Sequence, residues 1–83
     1  MKILVLGTGC ANCHRVATVL EKAVRRLGSE ARVEKIEDIL EIMKYDLMSL
    51  PAVVVNGRVV FSGGVPDAAR AEEIVKAADR LEG

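Results

Sequence analysis

The chain has 83 residues, and its twelve basic and twelve acidic residues give a formal net charge of zero at pH 7. It contains no Trp, one Tyr and one Phe, and it has no block of basic residues. Nucleic-acid binding through phosphate contacts or base stacking is therefore not expected. A chain of this length predicts one small domain over residues 1–83.

The first predicted element is a buried strand over Lys2–Leu6, which is a continuous aliphatic run. The run is too short for a signal peptide or a membrane span, so we expect a cytoplasmic protein with no membrane partner. A helix is predicted from about Ala11 to Leu27, with Gly28 as its left-handed C-cap. Its apolar residues recur at helical spacing and are Cys13, Val16, Leu20, Val24 and Leu27.

Residues 30–36 predict a second strand, which a right-handed crossover would place parallel to the first strand. Residues 37–46 predict a second helix. Its apolar stripe is broad and implies packing against a face of the sheet. The stripe consists of Ile36, Ile39, Leu40, Ile42, Met43 and Leu47.

The last third of the chain predicts a β-hairpin followed by a helix. Asn56-Gly57 lies between the apolar runs 52–55 and 58–61, which is typical of a type I′ turn. Asp67 is expected to cap the final helix. The side chains expected to point inward from this helix are Ala71, Ile74, Val75, Ala78 and Leu81.

Cys10 and Cys13 are the only cysteines, and they form a C-x-x-C motif at the start of the first helix. The helical phase buries Cys13 and leaves Cys10 exposed among the unpaired N–H groups of the first turn. Those groups and the helix dipole are expected to lower the pKa of the Cys10 thiol. In a reducing cytoplasm such a pair is typically catalytic or metal-binding. One helical turn brings the sulfurs within bonding reach, and two thiolates also suit Cu(I) or Zn.

The predicted order of elements is β-α-β-α-β-β-α, with the C-x-x-C motif opening the first helix and Pro51 preceding the third strand. This pattern resembles the minimal thioredoxin fold of glutaredoxin size. Residues 7–13, 50–52, 55–57 and 62–63 are similar to the small thioredoxin-like proteins labelled redox-active disulfide protein 2. The resemblance implies an α/β fold in which a four-stranded mixed sheet is flanked by three helices.

The resemblance also implies a function, namely thiol–disulfide oxidoreductase activity without a cofactor. Cys10 would attack a substrate disulfide, and Cys13 would resolve the mixed disulfide. Pro51 would be a cis-proline facing the disulfide, with Leu50 offering its backbone to an extended substrate. The remaining residues expected to contact substrate are Thr8, Gly9 and Gly63. The implied partners are disulfide-containing proteins or small molecules, and a dithiol reductase similar to thioredoxin reductase.

Several points stay open in the sequence. Ala11 and Asn12 stand between the cysteines, where thioredoxins have Gly-Pro and glutaredoxins often have Pro-Tyr, so the substrate and the redox potential are not implied. No cluster of positive charge is evident that would hold glutathione. His14 could add positive charge beside Cys10, but an exposed polar residue is the interpretation we favour.

The main alternative is a soft-metal binding or chaperone domain that uses the same two cysteines. Heavy-metal-associated domains also begin with a strand that leads into G-x-x-C-x-x-C. Those domains end on a strand, whereas this chain is predicted to end on a helix. The motif also matches the c-type haem attachment sequence C-x-x-C-H, which requires export that we do not expect here.

Overall fold

The computed structural model describes residues 2–47 and 49–82, except for the side chains of residues 81 and 82. Its centre is a four-stranded mixed sheet in the order β2-β1-β3-β4. Strand β1 (Lys2–Leu6) pairs in parallel with β2 (Arg32–Ile36) and antiparallel with β3 (Ala52–Val55), and β4 (Arg58–Ser62) pairs antiparallel with β3. The predicted α/β fold with a mixed sheet is confirmed. Strand β2 begins two residues later than predicted.

The two long helices, α1 (Ala11–Leu27) and α3 (Ala68–Glu82), cover one face of this sheet. Gly28 ends α1 with a positive φ of 62°, as predicted, and its N–H donates to the carbonyls of Val24 and Arg25. Asp67 caps α3, because its Oδ1 accepts the N–H of Arg70 at 2.8 Å. Four of the five predicted inward residues of α3 are buried, and the side chain of the fifth, Leu81, lies outside the described residues.

Side chains on the two central strands alternate between the faces of the sheet. On β1, Ile3 and Val5 join the core beneath α1 and α3, whereas Leu6 joins a smaller cluster on the other face. That smaller cluster is completed by Ile42, Ala52 and Val54. Both faces of β1 and β3 are therefore covered, which explains their continuous aliphatic sequences.

The second helix is much shorter than residues 37–46. Helix α2 spans only Ile39–Ile42, with Asp38 as its N-cap. Beyond it the backbone closes in three-residue turns, in which the N–H groups of Lys44 and Tyr45 donate to the carbonyls of Glu41 and Ile42. These turns lead into the loop before β3.

The packing expected for this segment against a face of the sheet is found for only part of its apolar stripe. Ile42 is the only one of its helical residues that is buried, and it lies against the small cluster around Leu6. Leu40 and Met43 are 70% and 72% exposed. Ile36 and Leu47 also pack against this cluster, whereas one turn of helix presents only a single row of its own side chains to the sheet.

The predicted hairpin turn is confirmed. Asn56 and Gly57 both have positive φ, 53° and 79°, as a type I′ turn requires. The pairing of β3 with β4 shifts by one residue between Val53 and Val54, which leaves Val60 as the extra residue of a bulge. Among the described residues, no helix is long and apolar enough to cross a membrane.

Candidate active site

A tight turn carries the chain from the end of β1 into α1. The N–H of Gly7 donates to the carbonyl of Ile36 at 3.0 Å, so the hydrogen bonding of β1 to β2 continues into the turn. Gly9 then takes a φ of +84°, a conformation that side chains rarely allow. This reversal starts the helix at Ala11, with Cys10 as its N-cap.

Cys10 and Cys13 are joined by a disulfide bond, with their Cα atoms 5.1 Å apart. Cys13 is 4% exposed, whereas Cys10 is exposed, so the predicted asymmetry of the pair is confirmed. The Sγ of Cys10 also accepts the backbone N–H of Cys13 at 3.2 Å. The sulfur thus takes the place of a capping oxygen at the positive end of α1. An incoming group can approach the Cys10 sulfur from solvent.

Gly7 and Pro51 enclose the buried sulfur. A Cβ on Gly7 would overlap the Sγ of Cys13 and would lie 3.9 Å from the Cβ of Pro51. Pro51 is fully buried, and the Leu50–Pro51 peptide bond is cis. Gly7 was not among the predicted site residues. Its position at the end of the apolar strand, three residues before the first cysteine, is the signal that could have identified it.

The loop after β4 lies against the proline loop. The N–H of Gly63 donates to the carbonyl of Pro51 at 2.8 Å, and a Cβ on Gly63 would lie 2.9 Å from the Oγ of Ser49. Three of the predicted substrate residues, Leu50, Pro51 and Gly63, are thereby brought together close to Cys13. A groove of about 340 Å³ begins at Leu50 and Ser49 and continues to Met43 in the turn after α2.

Thr8 and Gly9 lie exposed in the turn before Cys10. A Cβ on Gly9 would lie 2.8 Å from the Oε2 of Glu37, so a carboxylate stands directly beside the turn that presents Cys10. Glu37 was not predicted as a site residue. It is distant in sequence, and only the parallel pairing of β1 with β2 brings the ends of these strands to the same edge.

His14 is exposed, as we favoured from the sequence, and its Nδ1 lies 3.3 Å from the Nζ of Lys35. The ammonium group can only donate, so the imidazole nitrogen is the acceptor in this contact. Within the described part of the chain, no group of three or more His, Cys, Asp or Glu side chains is placed to hold a metal ion. The two sulfurs themselves are bonded to each other.

Comparison with known proteins agrees with this arrangement. Residues 1–76 match the family described as a thioredoxin domain. The chain is 41% identical over 76 residues to a thioredoxin of Methanothermobacter thermautotrophicus, and the match covers 92% of this chain and 95% of that protein. It is 32% identical over 74 residues to a thioredoxin of Methanocaldococcus jannaschii, covering 89% of this chain and 85% of that protein.

The fold is also similar to the crystal structure of chloroplastic thioredoxin z, with a TM-score of 0.61 and 21% identity over 95% of this chain and 78% of that chain. The likeness to the archaeal thioredoxins and the C-x-x-C disulfide together support thiol–disulfide exchange over metal handling. This chain therefore belongs to the thioredoxin domain family and is a thiol–disulfide oxidoreductase.

Proposed function

We propose that Cys10 is the attacking nucleophile of this oxidoreductase and that Cys13 is its resolving thiol. The observation that carries the assignment is the unequal exposure of the two sulfurs, with Cys10 open to solvent and Cys13 enclosed by Gly7 and Pro51. Attack on a bulky disulfide requires a sulfur that solvent can reach. Resolution needs only a second sulfur one helical turn away.

The helix start favours the reactive form of Cys10. In the reduced protein, the N–H of Cys13 and the positive end of α1 act on the same sulfur and stabilise its thiolate. Cys13 is buried among apolar groups, which disfavours its charged form.

The exchange then proceeds in two displacements. The Cys10 thiolate attacks one sulfur of the substrate disulfide, a Cys10–sulfur bond forms, and the other substrate sulfur leaves as a thiolate that takes up a proton. Cys13 loses its proton and attacks the Sγ of Cys10, which forms the intramolecular disulfide and releases the second substrate thiol. The substrate gains two electrons from the two protein sulfurs and two protons, one from Cys13 and one from solvent. A dithiol reductase would return the protein to its reduced form.

The groove that begins at Leu50 and Ser49, together with the proline loop, is the proposed binding site for the substrate chain. Leu50 is exposed next to the buried Pro51, so its backbone can pair with an extended peptide. Gly63 has no side chain, so the substrate chain can pass close to the loop after β4. Thr8 and Gly9, in the turn before α1, would border the substrate on the side of Cys10.

Single cysteine variants test these roles. The reduced Cys13→Ser protein is treated with a peptide whose cysteine is disulfide-bonded to an aromatic thiol. It should form a stable mixed disulfide with the peptide, and mass spectrometry should locate the adduct on Cys10. The Cys10→Ser protein should react at least about tenfold more slowly, because its remaining thiol is buried. Equal trapping rates at the two positions, or faster trapping at Cys13, would contradict the assignment.

A further inference from the structure

The segment after β2 forms an exposed surface that no other part of the described structure covers. We call the exposed side chains of residues 37–47 the α2 surface. Its apolar side chains Leu40 and Met43 are more than two-thirds exposed, and Ile39 is half exposed. Apolar side chains exposed side by side on one short segment are typical of a contact surface.

The same surface is acidic. Residues 37–47 contain four carboxylates and one lysine and so have a net charge of −3, although the whole chain is neutral. Among the described residues, the recorded ion pairs engage only Glu41 of these four carboxylates, with Lys44 at 3.0 Å. Glu37 and Asp46 are exposed, and Asp38 accepts the N–H of Leu40 through one oxygen only.

The α2 surface is continuous with the redox site at both of its ends. The carboxylate of Glu37 stands beside Gly9, next to Cys10. At the other end, the groove that starts at Leu50 runs to Met43 and Asp46. A protein that places its disulfide on the Cys10 sulfur is therefore within reach of the α2 surface.

We infer that the α2 surface binds a segment rich in basic and apolar residues next to the reacting disulfide of a partner protein. This inference rests on the proposed function and specifies its substrate class. Basic side chains of the partner would meet the carboxylates, and its apolar side chains would cover Leu40 and Met43. A second copy of this chain fits poorly, because a two-fold contact would bring two surfaces of charge −3 together.

Two peptide disulfides test the inference. They share one sequence except that the residues flanking the disulfide are Lys in one and Glu in the other, and hydroxyethyl disulfide serves as an uncharged probe. We expect kcat/KM for the Lys peptide to exceed that for the Glu peptide roughly tenfold at low ionic strength. The ratio should fall toward one in 0.5 M salt, where the Debye length is only about 4 Å.

The test variant carries Glu37→Gln, Asp38→Asn and Asp46→Asn. Asn retains a capping oxygen at position 38, so the start of α2 is preserved. We expect this variant to lose most of the preference for the Lys peptide, with the change appearing in KM rather than in kcat. Because the readout is a ratio between two substrates, a general loss of activity would not imitate it.

The control variant carries Glu21→Gln, Glu30→Gln and Glu73→Gln. It removes three negative charges, as the test variant does, but from α1, from the loop before β2 and from α3. It should keep the preference of the natural sequence. If the control loses the preference equally, the selectivity comes from overall charge and the inference is overturned.

A third variant tests the apolar part of the surface. Ile39→Ser with Leu40→Ser, at two exposed positions outside the groove, should raise KM for the Lys peptide about threefold or more, because apolar area that the peptide would cover is removed. The rate with hydroxyethyl disulfide should not change. Sedimentation at high concentration should show a monomer. A dimer that these two substitutions break would assign the surface to a second copy instead.

The outcomes separate this inference from the proposed function. If hydroxyethyl disulfide and both peptides are reduced at equal efficiency, exchange chemistry stands and the docking surface is refuted. If none of the three is reduced by the dithiol form, the proposed function itself fails.

Discussion

Gly7→Ala is the substitution that most directly tests the packing of the buried thiol. Gly7 is buried at the end of β1, and a methyl group there would overlap the Sγ of Cys13 and approach Pro51. Gly7 has no positive φ, so the backbone accepts alanine and the cost comes from the overlap alone. In the oxidised protein the sulfur is held by its bond to Cys10 and cannot turn away.

The expected cost is that of overpacking a core by one methyl group, about 1 to 3 kcal/mol. For a domain of this size, each 1 kcal/mol lowers Tm by about 4 to 8 °C. In the reduced protein the thiol of Cys13 can rotate, so part of the cost is relieved. If Gly7→Ala destabilises the oxidised protein by about 1.4 kcal/mol more than the reduced protein, the reduction potential rises by about 30 mV, because reduction of the disulfide becomes more favourable.

Two quantities are measured for the natural sequence and for the variant. One is Tm of the oxidised and of the reduced form, and the other is the reduction potential in a redox buffer. Gly28→Ala is the matched control, since Gly28 has open space around it and a φ of 62°. That control should lose about 1 kcal/mol in both forms and keep its potential. If Gly7→Ala destabilises both forms equally and leaves the potential unchanged, the close packing of Gly7 on the Cys13 sulfur is refuted.

Two further predictions concern stability. Leu20→Ala should lower the free energy of unfolding by about 2 to 5 kcal/mol, because Leu20 is fully buried. Leu40→Ala, at an exposed position, should change it by less than about 0.5 kcal/mol. Equal unfolding midpoints of the two variants in urea would contradict the burial assigned to these residues. Asp67→Ala should cost about 1 kcal/mol by removing the N-cap of α3, and Asp67→Asn should recover most of it, a difference that urea titration can resolve.

Elements with a strong local signal were predicted closely from the sequence. The bounds of α1 agree because a regular apolar period runs from the C-x-x-C motif to a glycine that can adopt the left-handed conformation. The hairpin turn agrees because few sequences other than Asn-Gly accept positive φ at both positions. The unequal exposure of Cys10 and Cys13 followed from the same helical phase.

The errors lie where tertiary geometry overrides the local pattern. Residues 37–46 have helical period, but the helix ends after one turn, so only part of the apolar stripe packs against the sheet and Ile39, Leu40 and Met43 stay exposed. Contacts across the fold were also missed. The approach of Glu37 to Gly9 depends on strand pairing, and that of Gly7 to Cys13 depends on where the helix meets the strand. Neither contact has a signature in sequence spacing.

The reduction equilibrium of the Cys10–Cys13 pair in metal-free buffer is the most direct test of the account. We predict a reversible two-electron equilibrium with a potential between about −270 and −120 mV, in the range of thioredoxin-like dithiols. The protein as purified should then hold less than one metal ion per chain. A stoichiometric, tightly bound Cu or Zn that prevents formation of the disulfide would contradict the account and would favour metal handling by the same two sulfurs.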